Sequence, residues 1–195
     1  MTKDSVVSQP PASASTIFPA SLIRDIREQY RLPWDGIHGV SHWARVLENG
    51  LRLAPLTGAK PEVVRLFAIF HDARRVNESW DPNHGRRGAD LAESLRGQEF
   101  DLTDEDFELL RTACVYHTDG LTEGDVTVQT CWDSDRLDLG RVGIWPEPRY
   151  LCTDAAKDRT IIEWSRERSM RRHVPEFAAE WDDTPGKRRP PLHPG

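Results

Sequence analysis

Residues 61–75 read PEVVRLFAIFHDARR, and this segment decides the fold. A proline stands where the first turn of a helix tolerates it, and the apolar residues that follow recur at helical spacing. Val64, Ala68 and His71 fall at i, i+4 and i+7, so the apolar face ends on a histidine. Asp72 comes directly after it. Because an unpaired buried carboxylate is very costly, this His-Asp pair must meet polar partners inside the protein.

The same periodicity extends along the chain and predicts an all-α fold. Helices are expected over residues 20–31, 38–54, 61–73, 84–96, about 104–117, 126–139 and 153–169. The helix after Thr103 should begin with a capping hydroxyl and three acids in its first turn. Residues 1–17 and 183–195 are rich in small, polar and proline residues, which predicts disordered tails. A single domain over residues 18–182 is therefore expected.

Composition narrows the classes of function. The net charge of -6 disfavours binding to duplex nucleic acid or to an anionic membrane, because both require a basic face. Three cysteines without a CxxC pair argue against a disulfide framework or a cysteine-rich zinc site. No apolar segment is long enough for a signal sequence or a membrane span, so a cytoplasmic location is expected.

Five histidines lie at helix ends or on apolar helix faces: His38, His42, His71, His84 and His117. Asp135 follows the apolar residues of its own predicted helix in the same way. Any one of these alone is more often a satisfied polar residue of the core. Several helices that each direct a histidine or an aspartate inward favour a metal site, because imidazole and carboxylate together suit a borderline divalent ion.

The order His42, His71-Asp72 and Asp135 is similar to the H…HD…D signature of the HD-domain superfamily. The local contexts are HGVSHWARV (38–46), LFAIFHDARR (66–75) and DSDRLDLGRVG (133–143), and the resemblance covers about residues 34 to 145. It implies a helical HD-domain bundle. It also implies that a first metal ion is held by His42, His71, Asp72 and Asp135.

His84 in HGRRGA and His117 in VYHTDG stand where two-metal members of that superfamily carry extra histidines. The resemblance implies that they hold a second ion, with Asp72 bridging, and that Asp72, His84 and His117 take part in catalysis. The implied cofactor is one or two divalent ions (Mn, Fe, Co, Ni, Zn or Mg). The implied activity is metal-dependent hydrolysis of a nucleotide or related phosphate ester.

Two ligand assignments stay open at this stage. Asp133 could replace Asp135, although the A/S-D-x-L context common in the superfamily favours Asp135, with Asp138 expected to orient Arg136. His38 could contact substrate, support a ligand or merely begin a helix. The positions three and four residues after Asp72 hold Arg75 and Val76, where some one-metal members of the superfamily carry an acid. This departure weakens any inference from those members.

Arginines near the predicted ligands indicate the substrate class, since guanidinium groups bind phosphate through paired hydrogen bonds. The expected substrate contacts are His38, Arg75, Arg86, Arg87 and Arg136. Five arginines neighbour a predicted ligand in sequence: Arg74, Arg75, Arg86, Arg87 and Arg136. Any single one of them more often pairs with surface acids, but at least one of the five is expected to bind phosphate. The main alternative is an oxygenase of the same superfamily that cleaves C–C or C–P bonds with two iron ions. A binding module with a vestigial site is a third class. The sequence leaves the oligomeric state open.

Overall fold

The computed structural model describes residues 17–182, and within them it contains helices and no β-strand. The α-helices are α1 (Ala20–Gln29), α2 (Val40–Thr57), α3 (Pro61–Phe70), α4 (His84–Leu95), α5 (Asp104–Tyr116), α6 (Val126–Arg136), α7 (Asp154–Lys157) and α8 (Arg159–Met170). Short 3-10 segments cover Leu139–Val142, Pro148–Tyr150 and Glu176–Asp182. The prediction of an all-α fold is confirmed.

The predicted tails lie almost wholly outside the described residues. Ile17, which the sequence assigns to the first tail, is described and packs against the core. None of the described helices is both long enough and apolar enough to cross a membrane.

Several helix boundaries differ from the predicted ones, and these differences lie close to polar residues. Helix α2 begins at Val40 rather than at residue 38, so His38 lies in the preceding turn. Gly39 makes this turn possible, because a Cβ there would stand 2.1 Å from the Trp34 carbonyl oxygen. Helix α3 ends at Phe70, three residues earlier than expected, and His71 and Asp72 therefore lie just beyond it. The last predicted helix is divided where Asp158 caps α8 by accepting a hydrogen bond from the Thr160 amide.

The core is centred on α2 and α3, with α6 packed against both and α5 packed against α3, α4 and α6. Its largest fully buried side chains include Trp43, Leu47, Phe67, Phe70 and Leu110. Full burial of one such side chain stabilises the fold by roughly 1.5–3 kcal/mol. A smaller cluster around Leu137, Ile161 and Ile162 attaches α8 to this core.

Two glycines let α4 approach its neighbours closely. A Cβ at Gly88 would stand 2.1 Å from the Phe70 carbonyl oxygen, and one at Gly85 would stand 2.0 Å from the Cys114 carbonyl oxygen. Both obstacles are backbone atoms, which cannot move aside as a flexible side chain could. The first turn of α4 is therefore held against the ends of α3 and α5, where the predicted metal ligands lie.

We expect Gly88→Ala to destabilise the protein by about 1–3 kcal/mol because it overpacks this contact. In an open helix the same change would stabilise by about 1 kcal/mol, so the sign of the effect is diagnostic. Urea unfolding followed by circular dichroism measures it. Exposed Glu93→Ala in the same helix is the control and should change stability by less than about 0.5 kcal/mol. A Gly88→Ala protein as stable as the wild type would contradict the close contact.

Candidate metal centre

Four buried imidazoles share one arrangement: each Nδ1 lies within hydrogen-bond distance of an oxygen that can only accept. These oxygens are Asp138 Oδ2 for His42 (2.7 Å), the Phe67 carbonyl for His71 (3.1 Å), the Asp81 carbonyl for His84 (2.6 Å) and the Cys114 carbonyl for His117 (2.7 Å). Nδ1 must therefore carry the proton in the neutral ring, which leaves a lone pair on every Nε2.

These lone pairs face each other in two pairs. His42 Nε2 lies 3.0 Å from His71 Nε2, and His84 Nε2 lies 2.9 Å from His117 Nε2. Two lone pairs at this separation repel unless a proton or a metal ion lies between them. Nitrogens 2.9–3.0 Å apart subtend about 90° at an ion ~2.1 Å from each. That is the angle between neighbouring ligands of an octahedral ion.

Asp72 lies between the two histidine pairs and presents one oxygen to each. Its Oδ2 is 3.6 Å from His42 Nε2 and 3.8 Å from His71 Nε2, whereas its Oδ1 is 3.1 Å from His84 Nε2 and 3.7 Å from His117 Nε2. The side chain is only 3% exposed. These residues form two groups that could each hold a metal ion, one with His42 and His71 and one with His84 and His117. The Asp72 carboxylate therefore lies where it could bridge the two groups.

The two neighbouring aspartates of α6 face opposite ways. Asp135 Oδ1 lies 3.4 Å from His42 Nε2 and is buried without a hydrogen-bond partner among the described residues. Asp133 instead accepts hydrogen bonds from the Cys152 amide and from both the amide and the hydroxyl of Thr153. Only Asp135 therefore has an oxygen free for the first metal position.

The expectation that Asp138 orients Arg136 is wrong. Asp138 accepts a hydrogen bond from His42 Nδ1 and two from Arg45, at 2.7 and 3.1 Å. It thereby fixes the ring of His42. Arg136 points away and donates to the Leu121 and Tyr150 carbonyls, because α6 ends there and its last side chain reaches the loops before and after the helix.

The other predicted substrate residues lie in different surroundings. His38 Nδ1 is 2.9 Å from Asp72 Oδ2, so His38 meets the shared carboxylate directly. Arg87 is bonded to Asp81 and to two carbonyl oxygens. Arg86 is exposed and lines a cavity of about 250 Å³ together with His84. Of these three side chains, Arg86 is thus the one that faces open space.

Arg75 lies beside the second metal position. Its Nη1 lies 3.3 Å from Asp72 Oδ1 and 3.1 Å from His84 Nε2, and its Nη2 donates to the Ser79 carbonyl at 2.8 Å. A guanidinium therefore already supplies positive charge beside His84. At the first position, Arg141 Nη1 lies 4.0 Å from Asp135 Oδ1.

Burial and charge set the protonation of the cluster. Burial lowers the pKa of His71 to about 4 and holds the pKa of His42 well below its usual range, so both are neutral ligands at neutral pH. Burial also acts to lower the pKa of His117, but the nearby Asp72 outweighs it and the pKa is raised. The pKa of Asp72 lies well below its usual range, since the surrounding histidines outweigh its burial.

Two arginines of this centre, Arg45 and Arg141, were not among the residues predicted from the sequence. Arg45 lies one turn after His42 on the buried side of α2, and this spacing could have revealed it. Arg141 lies within the quoted motif DSDRLDLGRVG, but its direction depends on the turn after α6.

Searches of family models, of curated proteins and of solved structures each give no match to this chain. The fold and the site thus define an all-α protein whose described residues include a buried His/Asp cluster able to hold metal, an arrangement compatible with an HD domain.

We expect metal-free protein to bind two Mn²⁺ ions, the first at least about tenfold more tightly. At the second position a guanidinium already stands 3.1 Å from His84 Nε2, and an incoming cation must overcome its repulsion. Paramagnetic resonance of free Mn²⁺ during a titration measures both affinities.

Three variants assign the two ions to their positions. His42→Ala should lose the tight ion, whereas His84→Ala should keep it and lose the weak one. His173→Ala, outside the cluster, is the matched control and should bind both. Loss of the tight ion in His84→Ala, or a weak ion unaffected by it, would contradict the assignment.

Proposed function

We propose that this protein is a metal-dependent phosphohydrolase of the HD-domain superfamily that acts on a nucleotide or a related phosphate ester. The charge balance of the buried site carries the proposal. Three carboxylates at the centre, Asp72, Asp135 and Asp138, are accompanied by three nearly buried guanidinium groups, Arg45, Arg75 and Arg141. The chain's own charges therefore cancel when the histidines are neutral.

Any divalent ion added to this balanced site leaves two positive charges uncompensated. Uncompensated charge in a buried site is costly, so an anionic ligand is needed beside the ions. A phosphate ester supplies negative charge and also oxygen atoms that suit Mg, Mn and related ions. A neutral substrate would leave the excess charge in place.

The geometry above supports the following ligand roles. His42, His71, Asp72 and Asp135 would hold the first ion, and Asp72, His84 and His117 the second. When bound, such ions make water acidic enough to act as a nucleophile at neutral pH and polarise a phosphoryl oxygen.

The chain's own groups keep these donors in place. Asp138 fixes the ring of His42, and the hydrogen bond between His38 and Asp72 fixes the shared carboxylate. Arg75 ties Asp72 to the loop at Ser79. Burial of the histidines excludes bulk water and strengthens every electrostatic contact in the site. Arg86, on the open side of His84, would contact the substrate.

A second candidate is the two-iron oxygenase. Each metal position combines two histidines with carboxylate oxygen, which is also the ligand set of iron enzymes that use dioxygen. The charge balance of the site still requires an anionic substrate, such as a phosphonate. Turnover that needs iron and dioxygen, and that fails with redox-inert metals, distinguishes this reaction from hydrolysis.

We expect wild-type protein loaded with Mn, Co, Ni, Mg or Zn to release phosphate from at least one member of a phosphate-ester panel. Asp72→Ala should abolish this activity, because it removes the carboxylate shared by both metal positions. It should remain folded, since the core lies in the apolar faces of the helices, and circular dichroism checks this. Asp90→Ala, an exposed carboxylate change on α4, is the matched control and should keep full activity.

Two results would overturn the proposal. One is an Asp72→Ala protein that hydrolyses the ester as fast as the wild type. The other is wild-type protein that releases no phosphate with any of these metals but consumes dioxygen when it is loaded with iron.

A further inference from the structure

A cavity of about 140 Å³ lies beside the first metal position, and its wall includes Ser41, Arg45, Arg141 and Arg172. An ordered water needs ~10–15 Å³ by a comparable measure, so the space is large enough for an oxyanion. None of the arginines that the sequence analysis selected lines it. Arg141 connects it with the metal centre, since its Nη1 lies 4.0 Å from Asp135 Oδ1.

The arginines of this cavity differ in how fully their charge is compensated. Asp138 holds Arg45 through two close hydrogen bonds, so that charge is neutralised. Arg141 donates to the Ile37 and Asp138 carbonyls but approaches carboxylate oxygens no closer than 3.8 Å, although its side chain is only 8% exposed. A nearly buried guanidinium without a close counter-ion favours an anion in the adjoining space.

Arg172 adds a second charge. Its side chain is exposed, faces the cavity and makes no hydrogen bond or ion pair with residues 17–182. Its backbone has φ 50°, a conformation that non-glycine residues adopt rarely. One carboxylate, Asp35, also lines the cavity. Arg141 offsets Asp135 of the metal centre only from 4.0 Å away. Within the cavity wall, its guanidinium and that of Arg172 therefore stand against the one carboxylate of Asp35.

The first turn of α2 contributes a third group. The Ser41 amide meets no acceptor within residues 17–182, and the helix has neither a side-chain cap nor an acid in its first turn. A free amide at the N-terminus of an 18-residue helix favours an anion. Ser41, Arg141 and Arg172 thus line one space.

We propose that this cavity is an oxyanion subsite, which binds a phosphoryl or carboxylate group through Arg141, Arg172 and the N-terminus of α2. The consequence for the substrate rests on the proposed function: a substrate that occupies both the metal site and this subsite carries a second anionic group beyond the one at the metal ions. Binding of the oxyanion itself needs only the chain's own groups, so it occurs without metal.

The test is a calorimetric titration of the full, EDTA-treated chain with inorganic phosphate at low ionic strength. Wild-type protein should bind phosphate saturably, in the millimolar range. Arg172→Ala should weaken binding about tenfold, the usual effect of losing a charge-assisted hydrogen bond, and Arg172→Lys should restore part of it. Exposed Arg149→Ala is the matched control and should bind like the wild type. The Arg172 side chain makes no hydrogen bond or ion pair within residues 17–182, so its variants test the subsite even if Arg141→Ala fails to fold.

Acetate as competitor distinguishes the two sources of the oxyanion. Displacement of phosphate by equimolar acetate assigns the subsite to carboxylates, and its failure assigns it to phosphoryl groups. Absence of saturable phosphate binding by wild-type protein would overturn the subsite, as would a loss in Arg86→Ala equal to that in Arg172→Ala. Phosphate binding that depends on Arg172, in a protein without phosphatase activity, would leave the subsite standing and remove only the proposed hydrolase.

Discussion

The metal site depends on one constraint: in their neutral form, four buried imidazoles must hold their Nε2 lone pairs facing each other in two pairs. Each of the four rings is fixed by a hydrogen bond at Nδ1, so none can turn its Nε2 away without losing that bond. The fold thereby holds two pairs of lone pairs about 3 Å apart, an arrangement that a bound cation makes favourable. Bonds of this kind at the far nitrogen are the usual way in which proteins orient metal-binding histidines.

Most of the side chains that converge on the metal site lie at helix ends. His71 and Asp72 directly follow α3, His84 begins α4, and His117 directly follows α5. Glycines where α4 meets α3 and α5 allow the backbones to approach closely enough for these ends to meet. Three guanidinium groups then balance the carboxylates, which leaves the charge of any bound ion available for an anionic ligand.

The local sequence pattern predicted the helices and much of the buried cluster. The contacts that it could not predict join residues far apart in sequence. Periodicity placed the helices, and the histidines that end apolar faces, such as His71 and His117, indicated the buried cluster. Asp138 was misassigned because its partners Arg45 and His42 are more than ninety residues away in sequence. Arg136 was selected for its closeness to Asp135 in sequence, but neighbours on a helix point in different directions. Arg172 carried no local signal, since only the fold brings it to the cavity.

The most direct test of the central claim, that the paired histidines surround metal ions, is anomalous X-ray diffraction from crystals of the Mn²⁺-loaded protein. We expect two anomalous peaks about 3.5–4 Å apart, one between His42 and His71 and the other between His84 and His117, with Asp72 reaching both. Crystals grown in excess Mn²⁺ with no anomalous peak at either pair, and with the imidazoles turned apart, would contradict it.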